Sequence, residues 1–272
     1  MAHTIGANLV GARRVARPLF AASLISLVEW FGELGLFCLQ LFRGIFVPPF
    51  EGAEFARQFD ELGAKSLPIA ALAGAATGVV LALETQQTLV RFGARTLLPA
   101  LLVVSIIKES GPIITGLVVS GRAAAGIGAE LGAMKVTEQI DAMEASAVDP
   151  LHFLVATRVL ACIVMLPLLT LVADFCGIAA GWLACNLTHS ISLQLFLEDG
   201  MKYAHFTDFL PPTLKTAVFG AIMGVVACFQ GLRAWGGTNG VERAATSSVV
   251  LSSLFIIVAD VLLVRFIQVV FP

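Results

Sequence analysis

Several stretches of this chain stay apolar over the roughly 20 residues that cross a bilayer, and a soluble fold has no place to bury them all. Hydrophobic residues make up 58% of the sequence, charged residues 13%, and mean hydropathy is +0.90. In ordinary globular domains about a quarter of residues are charged. The sequence therefore predicts an all-α integral membrane protein with two regions. Residues 1–65 form an N-terminal interfacial helix and connector, and residues 66–272 form a five-span domain. The spans are expected at about 66–90, 97–128, 150–187, 211–232 and 246–270, with a solvent-side helix over 130–148 between the second and third.

The N-terminal region superficially resembles a signal peptide, because Arg13, Arg14 and Arg17 precede an apolar run. Glu29 and Glu33 follow at once, and no A-x-A-like cleavage site is present. A helix lying in the membrane interface fits residues 13–46 better, and Pro48-Pro49 opens a connector. In the first span Pro68 occupies the first turn, where its missing N–H costs nothing. Gly74 and Gly78 form the G-x-x-x-G spacing that draws membrane helices together. Gly111-Pro112 is expected to kink the second span and Pro167 the third. Asp149 reads as an N-cap, with Pro150 at the first helical position. Residues 190–207 are too polar to span and read as a short surface helix.

Five crossings put the two ends on opposite sides. With the N-terminus in the cytoplasm, the inner segments hold Arg13, Arg14, Arg17, Arg43, Arg57, Lys65, Arg122, Lys135, Arg158, Arg233 and Arg243. The outer ones hold Arg91, Arg95 and Lys202, with Arg265 near the last outer end, in keeping with the positive-inside rule. A formal net charge of −2 gives no footing for nucleic acid.

The candidate chemistry centres on Lys108–Pro150. Glu109 sits in an apolar run, and neighbouring Lys108 cannot face it on a helix. A carboxylate inside a bilayer needs a partner, water or a proton. The other cation in an apolar setting is Lys215, which is expected near Glu109. The pair either lines a polar pathway for a lipid headgroup or ion, or bridges two helices. Glu84, Gln86 and Gln87, at the polar end of the first span, either line a cavity mouth or are simply solvated. Asp174 and Asp260 lie within spans, where each either belongs to a polar relay or, as expected, makes a hydrogen bond to Ser, Thr or main chain. Arg122 is expected to cap a carbonyl or to pair with Glu130.

Gly116, Ser120, Ala124 and Gly128 form a small-residue row on one helix face. The stretch from Glu130 to Val148 is too polar to insert. It reads as a docking helix for a soluble partner, with Met134, Ile140 and Met143 as apolar contacts and Glu138, Asp141 and Glu144 as rim charges. Nothing points to catalysis: there is no G-x-x-x-x-G-K-[ST] loop and no G-x-S-x-G elbow. Cys38, Cys162, Cys176, Cys185 and Cys228 form no C-x-x-C pair, and no metal-ligand spacing is present.

The sequence KESGPIITGLVVSGRAAAGIGAELGAMKVTEQIDAMEASAVDP resembles the signature of MlaE-type (Mce-associated, YrbE-like) permeases, the membrane subunits of bacterial ABC transporters that move lipids. The similarity rests on Glu109, Gly111, Pro112, Gly121, Arg122, Ala129, Glu130, Gly132, Met134, Glu138, Gln139 and Val148–Pro150. It extends to Leu166–Leu169, Lys215 and Asp260. Lys108 stands where the family has Arg, keeping the charge without the planar fork. The resemblance implies a homodimer in the bacterial inner membrane that binds no cofactor itself. ATP and Mg are handled by a cytoplasmic ABC ATPase, and a periplasmic Mce-domain protein carries the phospholipid. The 130–148 helix would couple to the ATPase through Glu130, Met134, Glu138, Asp141 and Glu144. Glu84, Gln87, Glu109 and Lys215 would face lipid, and Lys108, Arg122, Asp174 and Asp260 would be intramembrane polar groups. Two rival readings are an ion-coupled secondary transporter, with Glu109 or Asp174 as its proton site, and a non-transporting scaffold.

Overall fold

The computed structural model describes residues 19–45, 52–188, 192–202 and 206–270, and among these there is no β-strand. Arg13, Arg14, Arg17 and Pro48-Pro49 lie outside the described residues. The chain divides into two compact units, residues 1–40 and 41–272. Most of the first is one helix, α1 (Leu19–Ile45), in which Trp30 and Phe31 meet edge-on at 5.1 Å.

Among the described residues of the second unit, five helical stretches are long and apolar enough to cross a membrane: Gly52–Arg91, Arg95–Val136, Leu151–Leu187, Phe209–Leu232 and Thr238–Val270. The first combines α2 (Gly52–Leu62) and α3 (Leu67–Arg91). The expected connector is thus helical over most of its length. Its Gln58 and Leu62 are buried, and α2 packs on the third span. The Ser66 hydroxyl donates to the Leu62 carbonyl at 2.6 Å, joining the two helices.

α3 and α7 (Thr157–Thr188) touch backbone to backbone. A Cβ on Gly74 would overlap the Ala173 carbonyl, and one on Gly78 would overlap the Gly177 carbonyl. From the other side, a Cβ on Gly177 would come 3.0 Å from Gly74 O, and one on Gly181 3.1 Å from Gly78 O. In lipid, where apolar surface alone does not drive association, such close approach supplies the dispersion contacts that hold helices together.

The second span comprises α4 (Leu98–Ser105), a π-helical turn (Ile106–Ser110) and α5 (Gly111–Val136). The expected kink is this turn. Pro112 has no N–H to give the Lys108 carbonyl, and Gly111 N–H instead reaches back five residues to Ile106 O. The small-residue row of α5 is buried against α9 (Phe206–Leu232) and α10 (Thr238–Val270). Gly116 faces Phe219 and Ile256, Gly128 faces Ser248, and Ser120 Oγ lies 3.2 Å from Ser253 Oγ.

Four boundaries differ from the sequence reading. α5 does not stop at Gly128 but runs to Val136, because Leu131 and Gly132 remain packed against Gly231, Ala234 and Val241. The expected 130–148 helix is consequently two pieces. Glu138 adopts a left-handed φ of 59° after α5, and only Gln139–Ala145 form a separate helix, α6. α9 starts at Phe206, before Pro211-Pro212; both prolines hold a helical φ and forgo main-chain bonds near the helix start. α10 starts at Thr238 rather than near 246, since Gly236 and Gly237, at φ 89° and 73°, complete the turn by themselves.

The polar stretch after α7 contains α8 (Leu193–Met201), capped by Ser192 Oγ accepting from Leu195 N at 3.3 Å. It is no mere surface helix. Phe196 is fully buried in a cluster with Leu98, Leu102, Val103, Ile106, Ile107 and Cys185.

Candidate functional site

Three helices bring the intramembrane charges together. Lys215 Nζ, on α9, donates to Glu109 Oε2 of the π-turn at 3.1 Å and lies 2.9 Å from Asp260 Oδ1 of α10. The expected approach of Lys215 to Glu109 is therefore present. Asp260 joins them through an ion pair instead of the expected hydrogen bond to Ser, Thr or main chain. The lysine side chain is 1% exposed, Asp260 6% and Glu109 49%. One cation thus stands behind two carboxylates, and one of those is half open to whatever borders the protein.

The wider π-turn helps to display that group, and such turns recur at functional sites. In sequence only Gly111-Pro112 hinted at it. Lys108, next to Glu109, is exposed.

Asp174 also departs from expectation. It is buried on α7, neither carboxylate oxygen has a hydrogen-bond partner among the described residues, and Oδ1 fills the space a Gly111 side chain would occupy.

At the opposite end of α5 the charges pair differently from the sequence reading. Arg122 does cap a carbonyl, Glu61 O at 3.3 Å, and also donates to Ser66 Oγ at 2.6 Å. It does not pair with Glu130, whose Oε1 lies 2.8 Å from Arg158 Nη2. Arg158 is the residue sequence reasoning missed. It is fully buried at the start of α7 and also donates to Leu154 O at 2.9 Å. A cation surrounded by apolar residues was its only signal. Glu130→Gln is expected to cost about 1–3 kcal/mol, because the buried guanidinium loses its charged partner. Denaturant unfolding of the variant in micelles would measure this, and a Glu130→Lys variant should be worse still.

Of the expected docking residues, Glu138 and Glu144 are exposed and Met134 and Met143 partly so. Asp141 is held by Lys135 at 2.6 Å. Ile140 is buried and unavailable to a partner, since the short α6 folds it back onto the body. At the far end of α3, Glu84 and Gln87 are exposed. Gln86 is the one that turns inward, bordering a cavity of about 330 Å³ with Arg95, Thr96, Pro99, Leu195 and Asp199. All five cysteines carry free thiols.

A bundle of membrane-length helices with a buried ionic cluster, tight glycine contacts and no catalytic arrangement among its described residues has the build of a transporter's membrane subunit. The comparisons agree. Residues 55–266 match the family model described as Permease MlaE, and the chain belongs to that family. A probable ABC transporter permease of Rickettsia typhi is 35% identical, over 94% of this chain and 95% of its own. The intermembrane phospholipid transport system permease protein MlaE of Haemophilus influenzae is 31% identical, over 87% and 92%. The chloroplastic protein TRIGALACTOSYLDIACYLGLYCEROL 1 of Arabidopsis thaliana is 30% identical, over 83% of this chain and 68% of its own. The chain is thus a multi-pass membrane permease of the ABC-transporter class.

Proposed function

We propose that this permease moves phospholipid between the bacterial inner membrane and a periplasmic Mce-domain carrier. It works as a homodimer driven by a separate cytoplasmic ATPase that binds the ATP and Mg. The observation that carries the reading is the half-exposed Glu109, backed by buried Lys215 and Asp260 amid apolar helices. A carboxylate anchored in this way offers a polar contact to a headgroup, while the surrounding apolar faces accept acyl chains. The phospholipid transport named for the Haemophilus influenzae relative supports the substrate class. In this scheme Glu84 and Gln87 line the outer mouth and Lys108 borders the headgroup path. Arg122 and Asp260 hold the helices in register.

The ATPase meets the end of the protein formed by the last turns of α5 and by α6, with the N-terminus on that same, cytoplasmic side. Glu130 and Met134 transmit the contact into α5, while Glu138, Asp141 and Glu144 form its rim. Closure of the ATPase pushes these ends together across the dimer. The small-residue face of α5 then passes a rigid-body shift to the π-turn and reshapes the lipid chamber.

Affinity purification in mild detergent tests the whole reading. The expected result is an ABC ATPase and phospholipid retained with the chain; a chain isolated without either would reject it. The coupling end is tested separately by Glu138→Lys with Glu144→Lys. This variant should keep its fold, since both side chains are exposed, and should lose most of the co-purifying ATPase. Unchanged association would move the docking surface elsewhere.

A further inference from the structure

Asp174 is 3% exposed, and both its carboxylate oxygens lack a hydrogen-bond partner among the described residues. Its Oδ1 overlaps the place a Cβ on Gly111 would take, and the Ile106 carbonyl oxygen lies 3.0 Å from that same place. Two acceptors therefore share one gap that exists because residue 111 is glycine. The Gly111 N–H beside it is already given to Ile106 O, which keeps a second lone pair free.

Among the described residues, the elements packed against α7 bring no donor to Asp174. α3 has no ionisable residue from Leu67 to Leu83, α4 has none, and α5 has none before Arg122. The π-turn carries Lys108 and Glu109, and α9 carries Asp208 and Lys215, the last engaged with Glu109 and Asp260. The charges of α2 and His152 belong to the opposite end of α7, near Arg158. Both carboxylate oxygens can only accept, and a protonated carboxyl would supply the donor that this gap lacks.

We propose that Asp174 is a proton-binding site. The carboxylate takes a proton from water, and the resulting O–H donates to the second lone pair of the Ile106 carbonyl. The bond ties α7 to the first residue of the π-turn, three residues before Glu109, so Asp174 acts as a positioning residue for the ionic cluster. A metal cation fits less well, because hard cations gather a full shell of oxygens. The gap offers the Asp174 carboxylate and Ile106 O, with the unpartnered Thr115 hydroxyl one turn further along the same face of α5.

Infrared spectroscopy of the full chain in phospholipid vesicles tests this, with aspartate carboxyls labelled with carbon-13. The expected result at neutral pH is a protonated aspartic-acid carbonyl band that moves with the label and is lost in Asp174→Asn. That variant's amide N–H can still donate to Ile106 O, so its unfolding temperature should stay near the parent's. If it does not assemble, Asp174→Glu, whose carboxyl carries no label, takes its place and should lose the same labelled band. Absence of a protonated aspartic-acid band overturns the proposal. So does an unfolding temperature that rises with sodium, but not with choline, in the parent and not in Asp174→Asn.

Discussion

Lys215→Met is expected to lower the stability of the folded protein by about 3–5 kcal/mol, because it strands a buried carboxylate without its cation. Asp260 is 6% exposed at its side chain and has Lys215 as its ion-pair partner. Glu109 suffers less, since half of it can be solvated or reach a neighbouring group. Adding Asp260→Asn to Lys215→Met should restore part of the loss by removing the charge that Lys215 neutralises. Thermal unfolding of parent, single and double variants in the same detergent checks the order. A single variant as stable as the parent would mean that Asp260 has a second donor. Lipid transfer should stay impaired in the double variant even where stability returns, which separates a headgroup contact from a simple helix bridge.

Gly78→Val is the second large effect, and Gly74→Val should behave alike. Here the obstacle is main chain: the added Cβ meets the carbonyl of Gly177 or Ala173, and neither can swing aside as a side-chain tip could. Overpacking where neighbours can adjust costs about 1–3 kcal/mol. With two backbones in contact the helices must part, and the expectation is the upper end of that range or loss of the monodisperse fold. Gly126→Ala supplies the contrast. No described residue comes within 4 Å of its Cβ position, and alanine at an interior helix position gains roughly 0.8–1.0 kcal/mol of propensity over glycine. Size-exclusion profiles and unfolding temperatures of these variants distinguish a tight contact from an indifferent one. Comparable behaviour of Gly78→Val and Gly126→Ala would refute the close crossing.

The helical class was legible because bilayer-length apolar runs are a one-dimensional signal, as were Gly74 and Gly78, whose spacing alone places them on one face. Glu109 and Lys215 could be matched because unpaired charges are rare in apolar stretches. The third member could not. Asp260 lies 45 residues from Lys215 along the chain, and only the packing of α10 on α9 decides whether it meets a cation or a hydroxyl. Glu130 was misassigned for a similar reason: Arg122 is near it in sequence, whereas Arg158 reaches it through the fold. The break at Glu138 was hidden because nothing about a glutamate announces a left-handed φ. The helix starts at Phe206 and Thr238 were missed because Pro211-Pro212 and the glycine-rich loop carry the usual marks of chain breaks, yet a helix can absorb the first and a two-residue turn the second.

The cluster around Phe196 has a mechanical consequence. Ile106 and Ile107 of the π-turn share it with α4, the last turns of α7 and α8, so Glu109 has no freedom to travel by itself. Any stroke that displaces it must carry that greasy knot as a single piece or wrench an aromatic plug from its socket.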